Sequence, residues 1–249
     1  MKQTRTDIMG MPITVEIVGE SVPDEHFAAV FAYFEAVDAR FSTYKNGSEI
    51  TRINRGEISK PKQSPEMSEV FALAEKTKEE ANGYFDIKNP DGLLDPSGIV
   101  KGWAIQKAAN LLEKRGVKNF YIDAGGDIEA RGVNDENQPW KIGIRNPFKP
   151  AEIVKNVQLS NAGIATSGTY IRGFHIYNPR SPETVLDEIV SISVIGPNIY
   201  EADRFATAAF AMGRQGILFI ESLDGLEGYS IDAYGQATYT SNFNNYVIS

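Results

Sequence analysis

The chain has 249 residues, and its 25 basic and 33 acidic side chains give a formal net charge of −8 at pH 7. This acidic balance argues against a protein that binds nucleic acid through the phosphate backbone, because such proteins present basic surfaces. The chain has no cysteine and two histidines. Disulfides, thiolate catalysis, zinc–thiolate sites, iron–sulfur clusters and a three-histidine metal site within the chain are therefore excluded. A bound metal is expected to be a hard cation held by oxygen atoms, or to occupy a very sparse site.

The sequence has no uninterrupted apolar run near the roughly 18–20 residues that cross a bilayer, so no transmembrane segment is predicted. Its first residues lack a long apolar stretch and alternate as a strand does, which predicts no signal peptide. The expected localisation is cytoplasmic, or exported if a signal segment has been removed. Hydrophobic residues make up 42% of the chain and charged residues 23%, as in an ordinary globular protein.

Apolar periodicity predicts a strand and then a helix in the first part of the chain. The strand covers about residues 12–18, and the helix begins at Asp24. Phenylalanines and valines recur at helical spacing along this helix, at Phe27, Val30, Phe31, Phe34 and Val37. A short segment at 41–54 follows, with turn chemistry at Asn46 and Gly47.

Capping residues indicate two further helices. Ser64 followed by Pro65 is a good helix start, and Gly83 marks the expected end of that helix. After a stretch rich in glycine and aspartate, a third helix is expected to run to about Arg115, with Ser97 as its N-cap.

The pattern changes to short strands after residue 117. These strands are predicted at 119–123, 127–132, 140–145, 153–159 and 189–196. A late helix covers about 201–212 and continues past Gly213. The last segments are predicted as strands at 228–234, 237–241 and 245–249. Helices grouped early and strands in runs are typical of the α+β class, and we interpret residues 1–249 as one domain.

Several polar and small residues gather at the start of the third helix. Asp95, Ser97, Gly98 and Lys101 follow a flexible turn, and the unpaired N–H groups of a helix start attract anions. Lys101 lies one turn into the helix, where it could reach a phosphate. The alternative is a plain helix N-terminus, with Ser97 as its cap and Lys101 in solvent.

Two glycines separate the strands at 119–123 and 127–132. Paired glycines let a backbone approach a ligand closely, but they are equally common in an ordinary hairpin turn. The segment from Asp123 to Asp127 is therefore compatible with a ligand contact and with a turn alone.

Small hydroxyl residues precede a histidine in the second half of the chain. Thr166, Ser167, Arg172 and His175 lie close together in the sequence. His26 lies beside the apolar face of the first helix, and we interpret it as structural or solvated. His175 is then the one good candidate for a base at neutral pH, with a structural role as the alternative.

Asp203 and Thr207 are four residues apart in the late helix and therefore share one face of it. A carboxylate and a hydroxyl one turn apart could each give one oxygen to Mg²⁺, which usually completes its octahedron with waters and substrate phosphates. The alternative is that Asp203 favours the positive end of the helix, with Thr207 facing out or bonded to the backbone.

Taken together and in this order, these segments resemble the FAD:protein FMN transferase (ApbE) family of flavin transferases. The resemblance rests on MGM at 9–11, FSTYKNGSEITRIN at 41–54, GYFD at 83–86, DPSGIVKGWAIQKAANLLEKRG at 95–116, NFYIDAGGDIEARG at 119–132, IATSGTYIRGFHIYNP at 164–179 and ADRFATAAFAMG at 202–213. It implies helices packed on mixed or antiparallel β-sheets. Members of that family bind FAD and Mg²⁺, cleave the pyrophosphate with release of AMP, and attach FMN through a phosphoester to a Thr or Ser hydroxyl of a target flavoprotein.

The resemblance also implies the roles of particular residues. Those that correspond to FAD-binding positions are Met9, Tyr44, Tyr84, Phe85, Asp86, Asp95, Lys101, Thr166, Ser167, His175 and Ile176. Asp203 and Thr207 correspond to the metal ligands, and Gly98 would add its backbone carbonyl. His175 lies close to the flavin phosphate by this correspondence. His175 and Asp203 are therefore the predicted catalytic residues.

The chain departs from the family pattern in three places. Met11 stands where the family usually has a threonine, so a hydroxyl is lost. Asn178 replaces an aspartate in the histidine motif, which then ends in Pro-Arg-Ser instead of a Thr-Gly pair. If that carboxylate supports the histidine, Asn178 would leave His175 less basic. The stretch between Asp86 and Asp95 is short, which leaves FAD more exposed or changes the acceptor surface.

These features predict a Mg²⁺-dependent FAD:protein FMN transferase. Because the protein is acidic, the pyrophosphate charge must be neutralised locally, by Mg²⁺, Lys101 and backbone N–H groups. A base for the acceptor hydroxyl is typically worth about 10²–10⁴-fold in rate, and His175 is the candidate. Two alternatives stay open: a Mg²⁺-dependent FAD pyrophosphatase that yields FMN and AMP, and a non-catalytic FAD-binding protein, which Asn178 favours.

Overall fold

The computed structural model describes residues 1–169 and 176–248, which form six α-helices and ten β-strands. The helices are α1 (Asp24–Phe41), α2 (Glu49–Asn54), α3 (Pro65–Glu80), α4 (Ser97–Lys114), α5 (Ile199–Ala211) and α6 (Gly216–Glu221). The strands are β1 (Lys2–Ile8), β2 (Met11–Ile17), β3 (Phe120–Ala124), β4 (Asp127–Arg131), β5 (Trp140–Arg145), β6 (Ile153–Leu159), β7 (Ala162–Gly168), β8 (Ile189–Gly196), β9 (Glu227–Asp232) and β10 (Ala237–Tyr239). Every strand pairing within this part of the chain is antiparallel. The predicted α+β class, with helices on antiparallel sheets, is therefore confirmed.

One sheet of eight strands forms the centre of the fold. Its order is β1-β2-β3-β4-β7-β8-β9-β10, while β5 and β6 form a separate hairpin. Strand β2 buries every second side chain, at Ile13, Val15 and Ile17, as a half-covered strand does. These side chains join the large core under the helices, and a second core packs Trp140 and Val157 of the hairpin against the other face. The central sheet is thus covered on both faces.

Helix α5 lies directly on β7, and glycine makes this close approach possible. A Cβ atom at Gly163 would collide with the backbone of Ile199 in the first turn of α5. On the neighbouring helix α4, a Cβ atom at Gly102 would lie 2.6 Å from the Cβ of Asp203. Because no side chain separates these backbones, α4, α5 and β7 hold fixed positions relative to one another.

The predicted helices α1, α3 and α4 are confirmed in type and approximate extent. The Ser64 side chain accepts a hydrogen bond from Met67 N and caps α3 as predicted. Beyond its last turn, Gly83 takes a positive φ of 79° and donates its N–H to Lys78 O, which closes the helix end. Within the described residues, none of the helices has the length and apolar character that crossing a membrane requires.

Several elements differ from the sequence prediction. The segment at 41–54 contains the short helix α2, which Ser48 caps by accepting from Thr51 N. Strands β1 and β7 were not predicted as separate elements. The strand predicted at 245–249 is wrong: the chain there forms a 3-10 turn at Phe243–Tyr246 and one isolated bridge from Val247. Six residues are too few to show helical periodicity, and the small side chains of β7 are weak strand formers.

Glu129 on β4 is a buried carboxylate that holds the start of α5. Its Oε2 accepts a hydrogen bond from Ile199 N at 2.6 Å, and its Oε1 pairs with Arg131. Burial raises the pKa of Glu129 to about 7, while Arg131 and the Ile199 N–H oppose this rise. The folded protein therefore keeps a proton on Glu129 between about pH 4.5 and 7, where the unfolded chain has released it.

We expect Glu129→Gln to flatten the pH dependence of stability. In the wild type, this carboxyl's contribution to the free energy of unfolding is full below about pH 4.5 and is lost as the pH rises to about 7, a change on the order of 3 kcal/mol. Urea unfolding at pH 5 and pH 7.5 measures the difference between wild type and variant. The exposed Glu152→Gln serves as control, and parallel pH profiles for wild type and Glu129→Gln would refute the assignment.

Candidate functional site

A cleft of about 310 Å³ opens where α4 begins, beside β7 and α5. Its floor is formed by the start of α4, the end of β7 and one face of α5. Its rim is formed by two irregular segments, at 84–95 and 176–179. The structure brings together eleven residues predicted as site residues: Tyr84, Phe85, Asp86, Asp95, Gly98, Lys101, Thr166, Ser167, Ile176, Asp203 and Thr207.

The N-terminus of α4 is capped by Asp95 and not by Ser97. Asp95 Oδ1 accepts a hydrogen bond from Ser97 N at 3.0 Å, and Pro96 occupies the cap position without a side-chain bond. The predicted Ser97 cap is therefore wrong, because Ser97 is already the first helical residue and stands one position too late. Its side chain remains exposed and lines the cleft.

Three oxygen groups converge on the floor of the cleft. Thr207 Oγ1 lies 3.4 Å from the carbonyl oxygen of Gly98, and Ser167 Oγ lies 3.5 Å from Thr207 Oγ1. Asp203 lies one turn before Thr207 on the same face of α5, as the spacing predicts. The Gly102 N–H, whose regular helical acceptor would be Gly98 O, donates to Asp203 Oδ2 at 2.7 Å. The carbonyl oxygen of Gly98 faces Thr207 on the cleft floor.

Asp203 is 4% exposed, and burial raises the pKa of its carboxyl. Lys101 and the Gly102 N–H oppose this rise, and the nearby Asp127 adds to it. A cation that reached the cleft would relieve this unfavourable burial, since a positive charge stabilises the ionised form.

Asp127 is a buried acidic group at the site whose role sequence reasoning missed. It is the first residue of β4, and its Oδ2 pairs with the ammonium of Lys101. Its Oδ1 accepts a hydrogen bond from Thr166 N at 3.0 Å. The segment that contains it forms a hairpin turn, closed by Asp123 Oδ1, which accepts from Gly126 N at 2.8 Å. Gly125 in this turn also lines the cleft, so the two predicted alternatives, a turn and a ligand contact, are compatible. The sequence feature that could have indicated this role is an aspartate directly after the glycine pair, but this feature is equally typical of a turn.

The rim joins aromatic side chains to charged ones. The guanidinium of Arg180 lies 4.8 Å from the centre of the Tyr84 ring, a cation–π distance. Asp86 pairs with Lys78 Nζ at 2.6 Å and also accepts from Lys88 N. Tyr177 OH, on the second rim segment, donates to the carbonyl of Lys88 at 3.0 Å and so ties the two segments together.

Other predicted site residues lie elsewhere. Met9 has a positive φ of 54° in the turn between β1 and β2 and packs partly on the core, while Tyr44 is 97% exposed. The predicted base His175 lies outside the described residues, as does Arg172. Asn178 uses its Oδ1 to accept from Arg180 N at 2.9 Å, which closes a local turn.

Comparison with known proteins shows which family this chain is similar to. The sequence profile of the ApbE family matches residues 9–90 and 87–230. The FAD:protein FMN transferase of Escherichia coli is 26% identical over 214 residues, which cover 78% of this chain and 61% of that protein. The one of Haemophilus influenzae is 25% identical over 263 residues, 80% of this chain and 76% of that protein. The chain thus spans about three-fifths of the length of its E. coli relative.

Solved structures show the same fold. The flavin transferase ApbE from Vibrio cholerae superposes with a TM-score of 0.85 at 21% identity, over 99% of both chains. The ApbE protein from Thermotoga maritima gives a TM-score of 0.85 at 19% identity, over 100% of this chain and 99% of that one. Since the family profile matches most of the sequence and the architecture agrees, this chain belongs to the ApbE family.

Proposed function

We propose that the protein is an FAD:protein FMN transferase, which moves the FMN part of FAD to a Thr or Ser hydroxyl of a target flavoprotein and releases AMP. The observation that carries the proposal is the convergence of the Gly98 carbonyl, Asp203 and Thr207 beside Lys101. The names of the E. coli and H. influenzae relatives support the choice of substrate.

The cleft suits a ligand with an aromatic end and an anionic end. Tyr84, Phe85 and Ile176 offer apolar surface on the rim side, where a flavin ring could pack. On the floor side, Lys101 and the start of α4 offer positive charge for a pyrophosphate. An acidic protein needs such local positive charge to hold a dinucleotide, because its net charge repels the ligand.

The residues at the floor fit Mg²⁺, which we propose as the metal. A carboxylate, a hydroxyl and a backbone carbonyl are hard oxygen donors, and a Cβ atom at Gly98 would lie 3.2 Å from Thr207 Cγ2 and crowd this space. Among the described residues, no cluster of three His, Cys, Asp or Glu side chains could hold a metal. Asp203, Thr207 and Gly98 O would therefore share the ion with substrate oxygens. When bound, the cation offsets the developing negative charge of the pyrophosphate.

The proposed transfer exchanges one phosphorus–oxygen bond for another. The acceptor hydroxyl oxygen forms a bond to the FMN phosphorus, the bond from that phosphorus to the bridging oxygen breaks, and AMP leaves. The hydroxyl proton passes to a base, for which His175 stays our prediction. Lys101 holds the anionic oxygens, and Tyr84 and Phe85 orient the flavin, so the chain contributes mainly positioning and charge.

The test of this function is a transfer assay with product identification. The purified protein is incubated with FAD, Mg²⁺ and acceptor flavoproteins, and mass spectrometry looks for a covalent FMN adduct on a Thr or Ser. A matched reaction with EDTA should give no adduct. If FAD binds tightly and no competent acceptor is modified, the transferase proposal is wrong.

A second candidate, FAD pyrophosphatase, is favoured by the short rim. Residues 87–94 form a small loop closed by a bridge between Lys88 and Leu94, with Leu93 47% exposed. A low rim would let water reach the site in place of a protein hydroxyl. This candidate predicts FMN and AMP from FAD without any acceptor, whereas a non-catalytic binding protein would leave FAD intact.

A further inference from the structure

A buried carboxylate stands behind the wall of the cleft. Asp127 is 1% exposed and does not reach the cleft surface, so it cannot touch a ligand itself. It does contact Lys101, which lines the cleft, and the backbone N–H of Thr166 on β7. Asp127 also lies beside Asp203, which lines the cleft. Any influence of Asp127 on a bound substrate therefore acts through these three neighbours.

Lys101 has two carboxylates within reach, and their distances differ. Its ammonium is in direct contact with Asp127 Oδ2, whereas Asp203 Oδ1 lies 3.8 Å from the same nitrogen. The other oxygen of Asp203 already accepts from Gly102 N. Without Asp127, the buried Asp203 would be the nearest counter-charge for Lys101, and the lysine would close onto it.

We propose that Asp127 is a positioning residue, which holds the ammonium of Lys101 away from Asp203 and at the wall of the cleft. This inference rests on the proposed function, because it concerns how an FAD pyrophosphate is held. The Asp127 contact keeps Lys101 directed at the ligand's phosphates. It also keeps the ammonium 3.8 Å from Asp203 Oδ1, an oxygen that a cation in the cleft would need.

The chemistry of the Thr166 contact allows a clean substitution. Asparagine at 127 keeps an oxygen that can accept from Thr166 N, and it removes the negative charge that holds Lys101. Simple electrostatics predicts that deleting a negative charge near an anion site tightens anion binding. The positioning role predicts the opposite sign for Asp127→Asn, so the two explanations separate in one measurement.

The test measures flavin fluorescence quenching in EDTA, where no turnover occurs, with FAD and with riboflavin, which has no phosphate. We expect Asp127→Asn to weaken FAD binding by about 10-fold, by analogy with groups that orient metal ligands, and to leave riboflavin binding unchanged. In a Lys101→Met background, the same substitution should leave FAD binding unchanged or make it tighter. Asp123→Asn, which changes the carboxylate at the other end of the same turn, is the matched control and should bind both ligands as the wild type does.

Two results would overturn the inference. If Asp127→Asn, in the protein that keeps Lys101, binds FAD as tightly as the wild type or more tightly, Asp127 is only a source of negative charge. An equal loss for FAD and riboflavin would show a structural role.

If circular dichroism shows that Asp127→Asn is unfolded, Asp127→Ser keeps an acceptor for Thr166 N and must give the same pattern. Failure of the wild type to bind FAD both in EDTA and with Mg²⁺ would instead refute the proposed function, and this inference with it.

Discussion

Replacement of Asp203 by asparagine should lower the rate of the proposed FMN transfer by about 10²–10³-fold, since the charge stabilisation that the proposed metal would provide is worth several kcal/mol. Asparagine keeps an oxygen that can accept from Gly102 N, so the close contact between α4 and α5 should persist. Only the negative charge on the cleft floor is lost. Initial rates of AMP release and of adduct formation, taken over a range of Mg²⁺ concentrations, measure the effect.

Thr207 offers a matched pair of variants for the same prediction. Thr207→Ser keeps the hydroxyl that faces Gly98 O, while Thr207→Val keeps the shape and loses the oxygen. We expect the serine variant to respond to Mg²⁺ like the wild type and the valine variant to need more of it. The exposed Asp224→Asn controls for a general loss of acidic charge. A wild-type rate and Mg²⁺ response in Asp203→Asn would remove this carboxylate from the proposed site.

Replacement of Arg204 by methionine should lower the free energy of unfolding by about 2–3 kcal/mol, because several charge-assisted hydrogen bonds from one buried guanidinium are lost. Arg204 is 3% exposed, donates to Glu80, Glu201 and Thr77, and lies 3.9 Å from the centre of the Phe205 ring. The two glutamates are partly exposed and can be hydrated again, which keeps the loss below that of a fully buried pair.

Urea unfolding at constant pH measures this loss. Arg204→Lys should fall between the wild type and the methionine variant, because one ammonium cannot make the fork of bonds to both glutamates. Arg214→Met removes an exposed arginine on the neighbouring turn and should change stability by less than about 0.5 kcal/mol. A similarly small change in Arg204→Met would contradict the view that this residue joins the end of α3 to α5.

Much of the fold could be predicted from periodicity and caps. The apolar face of α1, from Phe27 to Val37, is buried as its spacing predicts, and the Ser64 cap begins α3. Strand β7 could not be recognised, because its residues are small to allow the close packing of α5 and not to favour a strand. Glycine at 163 lets the backbone of Ile199 pack directly on the sheet, and the residues around Gly163 in the sequence do not indicate this contact.

In the site, too, the sequence predicts contacts within one helix but not contacts between elements that are distant in the chain. The shared face of Asp203 and Thr207 follows from helical spacing alone, and the structure places both on the cleft floor. The pairing of Lys101 with Asp127 joins residues from α4 and β4, and only the folded chain brings them together. The same holds for the hydrogen bond from Gly102 N to Asp203 Oδ2, which joins α4 to α5.

Two departures from the family pattern, at Asn178 and Met11, make local contacts in the structure. Asn178 accepts from Arg180 N and shapes the turn of the second rim segment, a bond that aspartate could make equally well. Met11 is buried, and its sulfur lies 3.0 Å from where a Cβ atom on Gly125 would be. It therefore supports the glycine turn beside the cleft from beneath.

Helix α5 packs directly on β7 at Gly163, so the cleft floor and the rim should differ in their tolerance to mutation. Where β7 and α4 touch α5, at Gly163 and Gly102, an added Cβ atom would displace the helix that carries Asp203 and Thr207. The two rim segments, at 84–95 and 176–179, are joined by the contact of Tyr177 OH with the carbonyl of Lys88, which other side chains could replace. Libraries aimed at new flavin analogues should therefore vary the rim alone, and inactive variants from the floor should be read first as packing failures and only then as lost chemistry.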